Sequence, residues 1–257
     1  MKNSVHKKIY LIGAGPGDPE LLTIKALNAI KKSGAILYDR LVSKKVLSLA
    51  PKDTELIFVG KEQGRHIYSQ DEICKLIIKL ASKYPYVSRL KGGDPFIFGR
   101  GGEEYEEITS IGLACEVIPG ITAAAGAAAA LGFPLTHRNY SSEVVLLTGH
   151  RKTETQKNIN YPDFSKIKLK NKTHIIYMGV SRLEKIIEKI MSNNPEMEEF
   201  PVLLVENATC SNQRVISGNL NNIVSRAKKN NVKPPCVIII GEVIQSIQKS
   251  LPEMLKK

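Results

Sequence analysis

The sequence has no tryptophan, and aromatic residues make up only 6% of its 257 residues. Its four cysteines stand singly, without a C-x-x-C pair, so we expect neither a disulfide framework nor a structural zinc site. The longest run of small apolar residues, from Ile121 to Leu131, is too short to cross a bilayer. The amino terminus also lacks the apolar segment of a signal peptide. These absences predict a globular cytoplasmic protein without a metal.

The formal net charge of the chain is +12. Its basic residues are spread along the chain, and no motif of the RNA-binding kind interleaves them with aromatic residues, so nucleic acid binding is not predicted. A small polyanionic substrate would suit such a surface, because the positive field steers anions toward the protein. A compositional bias toward lysine would produce the same charge without any partner.

Apolar runs of strand length alternate with helical patterns along almost the whole chain. This order predicts an α/β protein of two domains, residues 1–136 and 137–257, with the active site in the cleft between them. A strand from Lys8 to Ile12 precedes a helix from Pro19 to Ser33, for which Asp18 is a suitable N-cap. Ser69 and Glu72 form the capping box of a later helix.

Three weaker patterns lie in the second half of the chain. Residues 151–172 are polar and lysine-rich, and they indicate a segment that is partly loop. Residues 213–220 predict a short hairpin, and a terminal helix is expected from Val243.

The stretch from Arg89 to Glu104 reads RLKGGDPFIFGRGGEE and follows a strand-like run. Gly92 and Gly93 lack a Cβ that would hold a ligand away from the backbone. Asp94 adds an acceptor, and the proline after it fixes the next φ angle. We therefore interpret this stretch as a ligand-binding loop.

The first turn, Gly13 to Asp18, resembles a dinucleotide fingerprint, but its spacing is G-x-G-x-G and Pro16 lies inside it. Asp18 falls at the helix start, where its carboxylate would repel a pyrophosphate. No G-K-[ST] sequence follows, which excludes a P-loop. The turn therefore favours a ligand without phosphate, and S-adenosylmethionine, with its sulfonium, ribose and amino acid, meets that description.

Six motifs in order along the chain together resemble the tetrapyrrole methylase family: GAGPGDPELLTIKA (13–26), YDRLVS (38–43), RLKGGDPFIFGRGGEE (89–104), VIPGITAAAGAAAALGFPLTHR (117–138), YMG (177–179) and ENAT (206–209). The resemblance covers essentially the whole chain and is strongest to those members that methylate uroporphyrinogen III. It implies two successive methyl transfers from S-adenosylmethionine to carbons of that substrate. The products would be precorrin-2, a precursor of sirohaem and cobalamin, and S-adenosylhomocysteine. The resemblance also implies a homodimer and a second domain that completes the cofactor site.

The resemblance assigns roles to individual residues. It implies Asp39 as proton acceptor and Lys61 as proton donor. Arg40, Lys61, Arg100 and Arg138 adjoin the motifs and are candidate partners for substrate carboxylates. The implied cofactor-binding residues are Pro16, Gly92, Gly93, Asp94, Ile97, Thr122, Ala123, Met178 and Ala208.

Several of these assignments have a structural alternative. Asp39 could simply form a salt bridge with neighbouring residues, and Met178 would ordinarily be a core residue at the end of an apolar strand. Thr122 could serve only to satisfy backbone amides at a helix start. A shift of one residue in the last motif would name Asn207 in place of Ala208.

Three other functions remain open from the sequence. A precorrin methyltransferase acting at a different ring carbon and diphthine synthase would share the fold, although GAGPGD together with GGDPFIFGRGGEE argues against both. A regulatory module that binds a nucleotide without catalysis is the third. Such a module would show phosphate-dependent binding and would release no S-adenosylhomocysteine.

Overall fold

The computed structural model describes residues 7–60, 68–150 and 161–247. Contacts within the chain separate two units, Met1–Thr122 and Ala123–Lys257, and each contains a five-stranded sheet. The predicted α/β class with two domains is therefore confirmed. The division by contacts falls before the alanine-rich helix and not at residue 136, because that helix packs against the second sheet.

The first unit has an entirely parallel sheet in the order β3-β2-β4-β1-β5. Strand β1 lies between β4 and β5, and its residues alternate between two cores, since Ile9 and Leu11 belong to one cluster and Tyr10 and Ile12 to the other. Helices therefore cover both faces of the sheet. The strands are β1 (Lys8–Gly13), β2 (Ala35–Tyr38), β3 (Glu55–Phe58), β4 (Tyr86–Lys91) and β5 (Ala114–Ile118), and the helices are α1 (Ile24–Lys32), α2 (Lys44–Leu47), α3 (Gln70–Lys83) and α4 (Gly101–Ser110).

The single helix predicted from Pro19 to Ser33 is wrong, because the segment contains two elements. Asp18 caps a short 3₁₀ turn, Pro19–Leu21, by accepting a hydrogen bond of 2.9 Å from the Glu20 N–H. The α-helix then begins afresh after Thr23, whose hydroxyl accepts from the Ala26 N–H at 3.1 Å. A second cap inside the apolar pattern thus restarts the helix.

The capping box predicted for the next long helix is confirmed. The Ser69 hydroxyl accepts from the Glu72 N–H at 3.2 Å, and the Glu72 carboxylate accepts from the Ser69 N–H at 2.7 Å. These two bonds satisfy amides at the start of α3 that have no partner within the helix.

The second unit has a mixed sheet in the order β6-β7-β10-β8-β9, in which only β6 and β7 are parallel. The hairpin predicted within residues 213–220 is wrong, because these residues supply one strand that pairs antiparallel with its predecessor. The terminal helix predicted from Val243 is a 3₁₀ helix, Glu242–Ile247. Residues 151–160 of the polar segment 151–172 lie outside the described residues. The strands are β6 (Glu143–Thr148), β7 (Lys172–Tyr177), β8 (Pro201–Glu206), β9 (Arg214–Asn219) and β10 (Cys236–Ile240), and the helices are α5 (Ala123–Ala130), α6 (Leu183–Ser192) and α7 (Ile223–Lys229).

Within residues 7–60, 68–150 and 161–247, no helix has the length and hydrophobicity that crossing a membrane requires. The same residues contain no group of three or more His, Cys, Asp or Glu side chains that could hold a metal ion.

His174 in β7 makes the stability of the protein dependent on pH. Its side chain is 2% exposed, and burial, reinforced by the charge of Lys172 and opposed by that of Glu143, lowers its pKa from 6.5 to about 4. Between pH 6.5 and about 4, His174 therefore binds a proton in the unfolded chain but not in the folded chain. We expect the free energy of unfolding to fall by about 3 kcal/mol from this group as pH drops from 6.5 to 4.

Urea titrations at a series of pH values test this expectation. The variant His174→Gln should lose that part of the pH dependence, whatever its absolute stability. The matched variant His150→Gln, which changes an exposed histidine, should keep the pH dependence of the free energy of unfolding that the parent shows. The same pH dependence in His174→Gln and the parent would contradict the assignment to His174.

Candidate functional site

The loops that follow the strands of the first unit begin at one edge of its sheet, because the strands are all parallel. Two of these loops are joined by backbone hydrogen bonds. The Gly15 N–H donates to the Gly93 carbonyl at 3.2 Å, and the Gly93 N–H donates back to Gly15 at 2.8 Å. The Ala14 N–H donates to the Lys91 carbonyl at 2.8 Å. The first glycine turn and the GGDP loop therefore form one structure.

Three glycines bring the backbones of three loops into direct contact. A Cβ atom on Gly120 would lie 2.3 Å from the Gly93 carbonyl oxygen, and one on Gly13 would lie 2.4 Å from the Gly120 nitrogen. Real Cβ atoms do not approach backbone so closely, so no other residue fits at these two positions without a backbone shift. Gly93 also has a φ of +71°, which glycine adopts readily.

Asp94 holds this junction together through both carboxylate oxygens. Its Oδ2 accepts from the Gly120 N–H at 3.0 Å, and its Oδ1 accepts from the Phe96 N–H at 2.9 Å. The residue therefore has a structural role that the sequence did not indicate. Its predicted contact with a cofactor stays a prediction, for which the oxygens retain further lone pairs.

Asp39 lies directly after β2, and its side chain is 23% exposed. Its Oδ1 accepts from the Leu41 N–H at 3.0 Å, and its Oδ2 lies 3.5 Å from Nη2 of Arg89. The ion pair considered as an alternative role for Asp39 is therefore present. The remaining exposure means that the carboxylate is still open to a ligand.

Behind Asp39 lies a buried cluster of charges that we had not predicted: Arg89, Lys91 and Glu104, each less than 5% exposed. Nε of Arg89 lies 3.2 Å from Oε1 of Glu104, and Nζ of Lys91 lies 2.9 Å from Oε2. Burial alone would raise the pKa of Glu104, but the two cations outweigh it and lower that pKa. Burial, reinforced by Arg89, lowers the pKa of Lys91. The sequence does carry a signal, since charged residues within an apolar parallel strand must find partners.

The predicted cofactor residues of the second unit lie in one region of that unit. Ala208 belongs to the same apolar cluster as Ala124, the residue after Ala123. The Ala124 N–H donates to the hydroxyl oxygen of Tyr177 at 3.3 Å. Met178, which follows Tyr177, is 49% exposed, so the alternative that it is a core residue is wrong.

The other predicted residues differ in their exposure to solvent. Pro16, Ile97 and Thr122 are half-buried, and Lys61 lies outside the described residues. Arg40 and Arg138 are exposed. Arg100 is paired with Glu103, from its Nε to Oε1 at 2.9 Å and from Nη2 to Oε2, so a substrate carboxylate would have to compete with Glu103.

Backbone strain is concentrated in the motif loops. Seven described residues other than glycine have positive φ, and two of them are asparagines outside the motifs, Asn171 and Asn231. Strained conformations of this kind cluster at ligand-binding sites. The other five lie in the GGDP, YMG and ENAT loops: Phe98, Arg100, Met178, Asn207 and Thr209.

Comparison with known proteins points in one direction. Residues 8–224 match the family described as tetrapyrrole (corrin/porphyrin) methylases. A uroporphyrinogen-III C-methyltransferase of Methanocaldococcus jannaschii is 46% identical over 92% of this chain and 96% of its own. A siroheme synthase of Pseudoalteromonas atlantica is 46% identical over 94% of this chain, which spans about half (51%) of that longer protein. The crystal structure of uroporphyrin-III C-methyl transferase from Thermus thermophilus, complexed with S-adenyl homocysteine, has a TM-score of 0.77 and 37% identity, over 93% of this chain and 94% of that one.

Proposed function

The chain belongs to the tetrapyrrole methylase family, and from this premise we propose that it transfers two methyl groups from S-adenosylmethionine to carbons of uroporphyrinogen III. Each transfer forms a carbon–carbon bond and releases S-adenosylhomocysteine and a proton. The final tetrapyrrole is precorrin-2, which serves sirohaem and cobalamin biosynthesis.

The observation that carries this proposal is the match to the Methanocaldococcus jannaschii enzyme at 46% identity along nearly the full length of both chains. The six sequence motifs and the relative crystallised with S-adenyl homocysteine agree with it.

The residues of the glycine junction fit the cofactor that we propose. At Gly13 and Gly120 the chain is too close-packed for side chains, so it presents backbone groups that can bind the ribose and the amino acid. The carboxylate of Asp94 can hold the cationic end of the same ligand. S-adenosylmethionine supplies the electrophilic methyl group, and the task of the protein is to hold the donor and the acceptor in line. In this proposal the bound cofactor also contacts Pro16, Gly92, Ile97, Thr122, Ala123, Met178 and Ala208.

Asp39 is the proton acceptor in this proposal, and Lys61 is the proton donor. The carboxylate of Asp39 is fixed by the Leu41 N–H at one oxygen and by Arg89 at the other, while part of its surface remains exposed. A fixed and accessible carboxylate can take the proton that leaves the methylated ring carbon.

The positive charge of the chain suits a substrate that carries eight carboxylates. A net charge of +12 attracts such a molecule from a distance. In the proposal, the exposed guanidinium groups of Arg40 and Arg138 bind carboxylates at the rim of the macrocycle. The family resemblance also implies a cytoplasmic homodimer, which stays a prediction.

Anaerobic incubation of the purified protein with uroporphyrinogen III and methyl-labelled S-adenosylmethionine tests the proposal. We expect mass analysis to show a gain of two methyl groups and an equal amount of S-adenosylhomocysteine. Incubation without the tetrapyrrole is the control. Tight cofactor binding without methylation would refute uroporphyrinogen III as the substrate and favour a later precorrin.

A further inference from the structure

The ion pair between Lys91 and Glu104 closes the base of the GGDP loop. Lys91 is the last residue of β4, and Glu104 lies in the first turn of α4, so residues 92–103 begin and end at this pair. Nζ of Lys91 and Oε2 of Glu104 are 2.9 Å apart, and neither side chain is more than 5% exposed. Because the pair is shielded from solvent, salt does not screen it as it screens a surface pair.

The same glutamate fixes Arg89, which faces Asp39. Oε1 of Glu104 lies 3.2 Å from Nε of Arg89, and Nη1 of Arg89 donates to the Leu90 carbonyl at 2.7 Å. Only Nη2 then remains to face the Asp39 carboxylate, at 3.5 Å. A planar guanidinium held at two of its nitrogens presents the third in a set direction.

Stability alone is a weak reason for this arrangement. A buried ion pair costs desolvation of both charges, and replacing it with apolar residues of similar volume is often neutral or stabilising. The charges of the cluster do balance, since Arg89 and Lys91 oppose Asp39 and Glu104. Their arrangement also connects the GGDP loop to the partly exposed carboxylate of Asp39.

We propose that Arg89, fixed by Glu104 and Lys91, is a positioning residue that orients the Asp39 carboxylate for proton removal. The Lys91–Glu104 pair thereby couples the geometry of the GGDP loop to that of Asp39. This inference rests on the proposed function, in which Asp39 accepts the proton. A small misplacement of a reacting group can cost about 100-fold in rate.

The test removes the ion pair between Lys91 and Glu104 without leaving a buried charge unbalanced. The paired variant Lys91→Met/Glu104→Gln deletes one cation and one anion, so Arg89 and Asp39 still neutralise each other. It should fold where Glu104→Gln alone could fail. We expect kcat for methylation of uroporphyrinogen III to fall about 10- to 100-fold, a larger factor than any rise in the dissociation constant for S-adenosylmethionine. Glu106→Gln, at an exposed position of the same helix, is the matched control and should turn over like the parent.

A double-mutant cycle separates positioning from a general structural effect. If the Lys91–Glu104 ion pair acts through Asp39, the paired substitution should lower kcat in the parent protein. In an Asp39→Asn background it should cause no further loss of kcat. An undiminished kcat in the paired variant, or the same loss in both backgrounds, would overturn the inference. An inactive parent that binds the cofactor would instead refute the proposed function.

Discussion

Replacing Asp39 with asparagine should lower kcat for methylation of uroporphyrinogen III by about 10²–10⁴-fold, the usual contribution of a general base. An asparagine oxygen can still accept from the Leu41 N–H, so the local backbone should be retained. The amide has no negative charge and cannot take up the proton. Asp39 contacts Leu41 and Arg89, neither of which the proposal places at the cofactor, so affinity for S-adenosylmethionine should not change.

Steady-state rates of methylation with labelled cofactor, together with equilibrium binding of S-adenosylmethionine, check this expectation. Asp53→Asn is the matched control, since Asp53 is an exposed aspartate of the same unit, and it should behave like the parent. If Asp39→Asn retained the turnover of the parent, another group would have to remove the proton.

Gly120→Ala should weaken S-adenosylmethionine binding by about 10- to 100-fold, which corresponds to a typical overpacking cost of ~1–3 kcal/mol. The new methyl group would lie 2.3 Å from the Gly93 carbonyl oxygen and 2.7 Å from Cα of Gly13. Both contacts are with backbone, which cannot swing away as a long side chain can. The loops must therefore separate, and the hydrogen bond from the Gly120 N–H to Asp94 would be lost with them.

Isothermal titration with S-adenosylmethionine and with S-adenosylhomocysteine measures this effect. Gly102→Ala provides the control, because a Cβ at that helical position meets no atom within 4 Å. Its affinity should equal that of the parent. Unchanged affinity in Gly120→Ala would show that the glycine junction does not form the cofactor site.

Much of the fold follows from local sequence patterns. The strand at 114–118 and the capping box at Ser69 were both predictable, because apolar periodicity and cap chemistry act over a few residues. The break of the first helix at Thr23 was missed because its cap lies inside an otherwise continuous apolar pattern. The partner of residues 214–219 was missed because it is β8, which ends before residues 213–220, the range of the predicted hairpin.

The candidate site was predictable as a set of loops but not as a set of contacts. Gly92 and Gly93 predicted a backbone that another group approaches closely. The sequence did not show that the approaching groups would be the backbones of Gly13 and Gly120. Likewise, Asp94 was predicted as a ligand acceptor, whereas its oxygens bind the Gly120 and Phe96 amides. Such contacts depend on the order of strands in the sheet, which local patterns do not specify.

The position of β1 between two later strands of the first sheet has a consequence for synthesis of the protein. This strand leaves the ribosome before its neighbours on either side, which begin at Tyr86 and Ala114. The apolar residues of β1 are buried on both faces of the folded sheet. They remain exposed to solvent until β4 and β5 have been synthesised. The nascent chain therefore depends on protection from aggregation during that interval, although the folded protein does not.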